Sequence, residues 1–383
     1  MIELTVWMNY PSFYQGDLFR ALMASGEVDL QVIFAKHLPP DRVCLGWETD
    51  SMGYPHHFLD ERKALADAVH LAWAQRNRLH IMNGLWVEPS FAAGLVTLAA
   101  ARSTFAIYSE ASEPELPRST AKKLLQAAFG RMLTPKAVGI LSISHLAEDF
   151  FKRLGAPEQA IYPFGYFRSH AQISDKPPFT KREDKIDMIF VGQMIQRKSV
   201  DLLIEAINPL FNLHQNLRLT IIGSGEMKCS LEDLVKSLDL CERIRFEGVM
   251  PSTKIPARVA AADLLVLPSR WDGWGLVVNE AFSVGVPVIV SDRCGAADLV
   301  RDGVNGYVFR KEDVEDLRRV LAEFIERRTH WPQMRAAAYA TGKKISTEAV
   351  MPYLIECLKH MTGELSERPS PPWVRLDVVE GAI

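Results

Sequence analysis

Two acidic side chains, Asp272 and Glu280, stand with seven residues between them in a glycine-punctuated part of the sequence. Gly275 and Leu276 lie in the interval. A glycine-rich loop that leads into a helix leaves the first backbone N–H groups without helical partners, and the helix dipole is positive at that end. We therefore expect the N–H groups of Gly275 and Leu276 to bind a phosphate, with a carboxylate on either side to accept hydrogen bonds from hydroxyl groups.

Short apolar strands must hold this loop. Residues 264–268 form an apolar run, and we expect the helix after the loop to begin near Gly275 and to end at Gly285, with Pro287 barring its continuation. Residues 286–290 are mostly β-branched and do not alternate with polar residues. This pattern predicts a parallel strand that is buried on both faces.

Strand and helix patterns alternate through the first half of the sequence, which predicts an α/β fold with a parallel, Rossmann-like sheet. The expected strands are residues 4–8, 29–35, 79–82, 104–109, 137–142 and 161–163, and the expected helices are residues 17–23, 90–102, 119–133 and 145–154. Gly16 precedes the first of these helices. It would let a ligand approach the backbone closely, and an ordinary turn glycine is the alternative.

A polar, proline-containing segment, residues 168–184, separates this half from a second alternating pattern and predicts an interdomain linker. The expected strands of the second half are residues 185–191, 217–222, 244–247, 264–268, 286–290 and 305–309, and the expected helices are residues 199–208, 230–238, 254–261 and 314–327, with further helix to about residue 361. A chain of 383 residues also favours two domains. We place them at residues 1–170 and 184–346.

Residues 119–133 predict an amphipathic helix. Its apolar stripe consists of Leu124, Leu125, Ala128, Phe129 and Met132, and its cations Lys122, Lys123 and Arg131 lie off that stripe. We expect the stripe to pack on the sheet. Docking of this basic helix on anionic lipid is the alternative.

Composition excludes several classes of protein. A formal net charge of −3 gives no support to nucleic-acid binding. The five cysteines are dispersed without a Cys-x-x-Cys pair, which favours a reducing compartment and argues against a disulfide framework or a zinc site. Residues 91–101, the longest apolar run, are too few to cross a bilayer. We expect a cytoplasmic protein that at most lies on the inner face of a membrane, and we leave its oligomeric state open.

The loop and its flanks resemble a known signature. Gly-Trp-Gly-Leu, Asn-Glu-Ala, Gly-Val-Pro-Val-Ile and Gly-Ala-Ala-Asp-Leu-Val follow one another between residues 273 and 300. In this order they resemble the retaining glycosyltransferases of family 4 (glycosyl transferases group 1), whose usual pair of glutamates at this spacing is Asp272 and Glu280 here. The resemblance implies the GT-B fold: two Rossmann-like domains that face each other across a cleft, with a C-terminal segment (residues 347–383) that packs back on the first domain.

The same resemblance assigns roles to residues of the second half. Lys198 would contact the diphosphate of a nucleotide sugar, Asp272 the hydroxyls of the donor sugar and Glu280 those of the ribose. Gln193 stands where the family usually has arginine, so that either Arg197 or Arg270 would compensate for the missing cation or the phosphate would be held more loosely. Further donor-binding positions implied by the family are Gly223, in a turn that borders the nucleotide, Val249, which follows the strand of residues 244–247 and would face the base, and Gly275 and Leu276, at the phosphate.

Three positions of the first half are also implied. Gly16 would face the donor phosphates. Ser109 falls on the position of a family histidine at the point of sugar transfer, and Glu110 follows it. Either side chain would hold a donor hydroxyl, or Glu110 would act on the acceptor.

The function implied is retaining transfer of a hexose from a nucleotide diphosphate sugar, such as a UDP-sugar or GDP-sugar, to a glycan or lipid-linked acceptor in bacterial surface polysaccharide or oligosaccharide assembly. No Asp-x-Asp occurs in the sequence, which argues against a metal-dependent transferase, so we expect no cofactor and no metal. The substitutions at Gln193 and Ser109 leave a second hypothesis, a nucleotide-sugar-binding scaffold or regulatory subunit. A nicotinamide oxidoreductase is excluded because no Gly-x-Gly-x-x-Gly follows the first strand.

Overall fold

A computed structural model describes residues 1–44, 46–47, 52–85, 88–113, 120–169 and 185–373. The chain divides into two compact units. The first holds the described residues of Met1–Pro40, Thr49–Phe167 and Thr347–Ile383, and the second those of Asp41–Glu48 and Arg168–Ser346. The division thus lies close to the predicted boundary near residue 170, although the described residues of Asp41–Glu48 group with the second unit. Most of the predicted linker, residues 170–184, lies outside the described residues.

The first unit is built on a parallel sheet of seven strands in the order β3-β2-β1-β4-β5-β6-β7. Its strands are β1 (Ile2–Met8), β2 (Val28–Phe34), β3 (His56–Phe58), β4 (Leu79–Asn83), β5 (Phe105–Glu110), β6 (Gly139–Ile143) and β7 (Ile161–Phe164). Its helices are α1 (Phe13–Ala24), α3 (Ala64–Ala74), α4 (Pro89–Ala100), α5 (Thr120–Leu133), α6 (Ser144–Arg153) and α13 (Thr347–Thr362). Central strands such as β6 are buried at every position, as a parallel sheet covered on both faces requires.

The last helix, α13, packs within this first unit. The Tyr353 hydroxyl donates to the Pro163 carbonyl oxygen at 2.9 Å, and the Tyr162 hydroxyl lies 2.6 Å from Nδ1 of His360. Gly139 permits the approach, because a Cβ there would lie 2.4 Å from Cε of Met361. The chain therefore returns to the first unit after completing the second, as the family resemblance implies.

The second unit has a parallel sheet of six strands in the order β10-β9-β8-β11-β12-β13. Its strands are β8 (Ile186–Val191), β9 (Leu217–Ile222), β10 (Ile244–Gly248), β11 (Leu264–Leu267), β12 (Val288–Ser291) and β13 (Gly306–Phe309). Its helices are α2 (Pro40–Cys44), α7 (Val200–Leu213), α8 (Lys228–Ser237), α9 (Ile255–Ala260), α10 (Val277–Ser283), α11 (Val314–Glu326) and α12 (Trp331–Lys344). The strand order is that of a dinucleotide-binding Rossmann sheet. The strands remain parallel throughout, and the order in which they follow one another across the sheet reverses between β8 and β11.

Two predicted helices begin elsewhere in the structure, and three elements between residues 40 and 74 were not predicted. Helix α10 begins at Val277, two residues later than expected, because Gly275 has φ of +95° and cannot continue a right-handed helix. Helix α1 begins at Phe13, so Gly16 lies inside its first turn and donates its N–H to the Ser12 carbonyl oxygen. Helix α2, strand β3 and helix α3 were not predicted.

The apolar stripe of α5 is a further correction. Leu124 and Leu125 are 66% and 68% exposed and Met132 is 49% exposed. The side that packs on the domain instead carries Gly130, whose Cβ would lie 3.0 Å from Cδ1 of Leu154, and Leu133, which is buried. The prediction that the stripe packs on the sheet is therefore wrong for the two leucines and Met132.

Candidate functional site

The two loops that flank the reversal of strand order in the second unit carry the predicted charged residues. One loop follows β8 and contains Lys198, and the other follows β11 and contains Asp272. Ligands of open α/β sheets bind beyond the carboxyl ends of the strands at such a switch point, where adjacent loops leave in opposite directions. Two side chains that are 74 residues apart in the sequence are thereby brought together.

Lys198 and Asp272 form a hydrogen-bonded ion pair between Nζ and Oδ2. Their side chains are only 12% and 13% exposed. A short helical turn (Gln196–Lys198) ends at Ser199, whose φ of +51° turns the chain into α7. A mostly buried ammonium next to a single carboxylate suits an anionic ligand, because a diphosphate brings further negative charge to a cation that is already desolvated.

The backbone of the Asp272 loop is fixed on both sides. Its N–H donates to the Arg293 carbonyl oxygen and its carbonyl oxygen accepts from the Gly295 N–H, each at 2.9 Å. Gly275 packs so closely that a Cβ would lie 2.7 Å from Sγ of Cys294. The loop is therefore rigid where it presents Asp272, and the glycine is required by contact as well as by its positive φ.

Trp274 shapes the same loop from within. It is 2% exposed, and its indole N–H donates to Oδ1 of Asn279 at 2.8 Å. The Cys294 thiol and the Ala296 N–H both donate to its carbonyl oxygen. The residue thus packs inside the domain.

Arg197 and Arg270, the candidates to replace the missing family arginine, join the two loops. Arg197 donates through a guanidinium nitrogen to the Trp271 carbonyl oxygen at 2.6 Å. Arg270 donates to Glu312 at 2.9 Å and to the Gln196 carbonyl oxygen at 3.0 Å. Both guanidiniums hold protein groups, and Lys198 is the cation paired with Asp272.

Glu280 lies on α10 and is 8% exposed. The nearest guanidinium nitrogen of Arg168 is 3.6 Å from Oε1 of Glu280. Burial raises the pKa of Glu280 to about 7, and the positive charge of Arg168 opposes that rise. Its carboxyl group is thus poised to change charge near neutral pH.

The turns after β8 and β9 are locked together by backbone bonds. The Met194 N–H donates to the Ser224 carbonyl oxygen at 2.8 Å, and the Gly223 N–H donates to that of Gly248 at 2.7 Å. A Cβ on Gly223, which has φ of +132°, would lie 1.9 Å from the Gly192 carbonyl oxygen. Gln193 therefore sits in a tightly held turn. Val249, which follows β10, is 43% exposed.

The sequence of residues 172–344 matches the family model described as glycosyl transferases group 1. This segment is a group 1 glycosyltransferase domain. It contains Lys198, Gln193, Asp272 and Glu280, and it includes all six strands of the second sheet.

Curated relatives of the group 1 domain are similar over part of their length. An alpha-D-kanosaminyltransferase of Streptomyces kanamyceticus is 27% identical over 213 residues, which cover 52% of this chain and 53% of that protein. A D-inositol 3-phosphate glycosyltransferase of Thermobifida fusca is 30% identical over 182 residues, which cover 45% of this chain and 42% of that protein. The chain thus spans about half the length of the curated relatives it matches.

Solved structures are similar over nearly the whole chain. Anabaena HepE in complex with UDP superposes with a TM-score of 0.72 at 16% identity and covers 96% of this chain and 100% of its own. Sucrose-phosphate synthase of Thermosynechococcus elongatus gives 0.72 at 15% identity, with 95% and 100% covered. At this identity the likeness shows the fold, which is the GT-B arrangement of two Rossmann-like domains.

The remaining predicted residues lie outside the group 1 domain, in the first unit. Ser109 and Glu110 end β5, where the Ser109 hydroxyl donates to the Glu110 carbonyl oxygen at 2.8 Å. The Tyr166 hydroxyl donates to Oε1 of Glu110 at 2.7 Å. Gly16 lies in α1 of the same unit.

Sequence reasoning missed Arg168 and Tyr166. Both belong to the run 164–168 (FGYFR), which begins with the last residue of β7. Three aromatic residues and an arginine directly after a buried strand were a signal that this segment is packed and does not begin a linker.

No group of three or more His, Cys, Asp or Glu side chains in the described part of the chain could hold a metal ion. A search of the same residues finds no helix long and apolar enough to cross a membrane.

Proposed function

We propose that this protein is a retaining, metal-independent glycosyltransferase that moves a hexose from a nucleotide diphosphate sugar to a glycan or lipid-linked acceptor. The Lys198–Asp272 ion pair at the switch point of the group 1 domain carries this proposal. Relatives support the class of reaction, since one is named a kanosaminyltransferase and another a GDP-mannose-dependent mannosyltransferase of a phosphatidylinositol monomannoside. Assembly of bacterial surface polysaccharide or oligosaccharide, in the cytoplasm, is the setting we infer.

Lys198 is the residue that stabilises the leaving group in this proposal. When the bond between the anomeric carbon and the phosphate oxygen breaks, negative charge grows on the diphosphate. The ammonium of Lys198 is held in place by Asp272 before the donor arrives, so little reorganisation is needed. The acceptor hydroxyl attacks the same face of the sugar, and its proton passes to the departing phosphate oxygen.

Asp272 and Glu280 recognise the two sugars of the donor. The fixed backbone of Asp272 directs its carboxylate to hydroxyls of the transferred hexose. Glu280, buried and facing Arg168, accepts hydrogen bonds from the ribose hydroxyls. A carboxylate accepts up to about four hydrogen bonds, so each acid retains capacity for hydroxyls beside its cation.

The test is a transfer and hydrolysis assay with UDP-sugars and GDP-sugars, since one solved structure similar to this chain contains UDP-glucose and one relative is named for GDP-mannose. Lys198→Ala should lower kcat/KM by about 10²- to 10³-fold, the usual loss when one preorganised electrostatic group is removed. It should also weaken nucleoside diphosphate binding, because the Asp272 carboxylate is then left facing the anion.

Asp272→Asn separates the binding of the diphosphate by Lys198 from the recognition of the donor sugar by Asp272. The substitution frees the Lys198 ammonium from its partner, so nucleoside diphosphate binding should be at least as tight as in the wild type, while transfer falls. Lys228→Ala and Asp233→Asn are matched controls, because they break exposed ion pairs with Glu232 and Lys236 in the same unit. Such pairs contribute little, and both controls should behave as the wild type.

Two outcomes would count against the proposal. Full transfer by Lys198→Ala would remove its central residue. A wild-type protein that binds nucleotide sugars yet neither transfers nor hydrolyses any of them would favour the scaffold hypothesis, which the substitutions Gln193 and Ser109 motivate. Loss of activity after treatment with a chelator would refute only the metal independence of the reaction and not the transfer of sugar itself.

A further inference from the structure

A short segment from the first half of the sequence belongs to the second unit. The described residues up to Pro40 and those of 52–167 lie in the first unit, whereas residues 41–44, 46 and 47 group with the second. We call residues 41–44, 46 and 47 the α2 segment, because most of helix α2 lies in it. A segment that is joined at both ends to one unit and packs within the other needs a specific contact to hold it there.

The backbone of Gly46 makes this contact. Its N–H donates to the Val43 carbonyl oxygen at 2.9 Å, and its φ of +83° turns the chain out of α2. Its carbonyl oxygen accepts from the Ser252 N–H at 3.2 Å. A Cβ at Gly46 would lie 2.6 Å from the Met250 carbonyl oxygen. Glycine is therefore required at this position by the turn and by the close approach.

The loop that the α2 segment contacts follows β10 at the carboxyl edge of the second sheet. The loop begins at Gly248, whose carbonyl oxygen accepts from the Gly223 N–H at 2.7 Å, so it is also tied to the turn after β9. Val249 lies between these two attachments and is 43% exposed. The α2 segment and the turn after β9 thus hold the loop from either side and leave an apolar side chain exposed between them.

We propose that the α2 segment is a positioning element for the nucleobase of the donor, because it holds the loop that presents Val249. This inference rests on the proposed function, since it takes a nucleotide diphosphate sugar as the ligand. Strand β10 lies two strands from β8, or ~10 Å, and both end at the edge that carries Lys198. One ribose separates a base from its diphosphate, so a nucleotide held by Lys198 extends along this edge to Val249.

A fixed loop would give selectivity among bases. An exposed aliphatic side chain suits the apolar face of any base, whereas bases differ in the donors and acceptors on their edges. The N–H and C=O groups of a loop distinguish these edges at low entropic cost only when the loop is held in one conformation before the ligand arrives. Base selectivity would then depend on Gly46, which touches the loop and not the nucleotide.

The test measures the dissociation constants of UDP, GDP, ADP and inorganic pyrophosphate by calorimetry, with the full chain as wild type and as two variants. Gly46→Ala sets a Cβ against the Met250 oxygen, and Ser252→Pro removes the N–H that donates to Gly46. Proline is compatible with this position, because Pro251 has ψ of 139° and residue 252 begins a short helical turn. The two changes break one contact from opposite sides, so they should have the same effect.

We expect the wild type to prefer one of the three nucleoside diphosphates. Loss of the contact should leave the loop correctly held in about a tenth of the molecules, so the affinity for the preferred nucleotide should fall about tenfold in both variants. The other two nucleotides should be affected less, and the preference among bases should narrow. Pyrophosphate has no base and should bind both variants as it binds the wild type, which also shows that they fold.

Gly363→Ala is the matched control. Gly363 has φ of +81°, close to the +83° of Gly46, but a Cβ there would meet nothing within 4 Å. The substitution introduces a similar backbone strain without the clash and should leave all four dissociation constants unchanged. Hydrogen exchange adds a structural measurement, because the Ser252 amide should exchange faster in Gly46→Ala than in the wild type or in Gly363→Ala.

The inference is wrong if both variants keep the wild-type preference among bases, or if they weaken pyrophosphate binding as strongly as nucleotide binding. An unchanged exchange rate of the Ser252 amide in Gly46→Ala would also contradict it, since the α2 segment would not hold the loop in solution. Lys198→Ala should instead weaken pyrophosphate and all three nucleotides alike. A wild type that binds all three nucleotides without preference would overturn this inference alone, whereas one that binds no nucleotide would overturn the proposed function as well.

Discussion

The carboxyl ends of the two parallel sheets differ in chemistry. In the second unit the loop after β11 and the helix α10 that follows it carry two acids that face cations, Asp272 with Lys198 and Glu280 with Arg168. In the first unit the corresponding ends carry phenols: the rings of Tyr14 and Tyr166 lie 4.8 Å apart, and those of Tyr108 and Tyr166 lie 6.1 Å apart. Two sheets with the same strand order therefore present different groups to a ligand.

The two sheets also differ in the charge of these groups, because the phenols of the first unit are neutral. Burial raises the pKa of Tyr108 and of Tyr166 well above its usual range, so both phenols remain neutral. Neutral hydroxyls can donate to and accept from sugar hydroxyls without the cost of desolvating a charge. A charged edge suits the diphosphate of a donor, and a phenolic edge suits an uncharged acceptor. The likeness of the folds thus does not carry over to the chemistry of the two edges.

The largest expected effect concerns backbone packing in two turns, one after β9 at the carboxyl edge of the second sheet and one between α1 and β2 at the amino end of a strand of the first. Gly223→Ala in the second unit would place Cβ 1.9 Å from a backbone oxygen at φ of +132°, and should cost at least about 3 kcal/mol of the free energy of unfolding. Gly26→Ala in the first unit meets nothing within 4 Å at φ of +70°, and should cost about 1 kcal/mol. Urea denaturation measures both, and equal losses would show that the turn after β9 can relax.

The next effect tests the charged edge by pH. The Glu280 carboxyl has a pKa of about 7 in the native state against 4.5 ordinarily, so the native state retains a proton that the unfolded chain loses. Its stabilising contribution is complete below pH 4.5 and is lost as the pH rises through 7. Relative to the wild type, Glu280→Gln should therefore gain about 3 kcal/mol in the free energy of unfolding between pH 5 and pH 8.

Glu247→Gln is the control for this pH effect. The hydrogen-bonded guanidinium of Arg258 lowers the pKa of Glu247, so this carboxyl is ionised in both states above pH 5. Its difference from the wild type should not change between pH 5 and pH 8. A flat profile for Glu280→Gln as well would mean that Glu280 is charged in the native protein throughout.

The strands of both sheets were predictable because buried parallel strands appear in a sequence as short runs rich in β-branched residues. Strand β3 escaped prediction since it has three residues, His56–Phe58, and none of them is buried. The stripe of α5 was identified correctly, but its direction was not, because helical periodicity shows which residues share a face and not what that face contacts. The sequence alone also cannot show that Lys198 meets Asp272, a contact that depends on strand order.

Residues whose partners lie far along the chain were the hardest to find. Arg168 was assigned to a linker because it precedes a polar, proline-containing segment, and its partner Glu280 is more than a hundred residues away. Arg270 was considered for a phosphate and instead bonds Glu312. For an isolated arginine, the sequence contains no signal that separates a ligand contact from an internal one.

The smallest effect tests the phenolic edge. Tyr166→Phe removes the hydroxyl that donates to Glu110 at 2.7 Å and should cost about 1.5 kcal/mol. Tyr307→Phe is the control, because its hydroxyl accepts a long bond of 3.4 Å from the exposed Arg327. If the two edges divide the chemistry as proposed, Tyr166→Phe should leave nucleoside diphosphate binding unchanged while Lys198→Ala weakens it. Loss of that binding in Tyr166→Phe would mean that the phenols also serve the charged ligand, and the contrast between the two sheets would no longer hold.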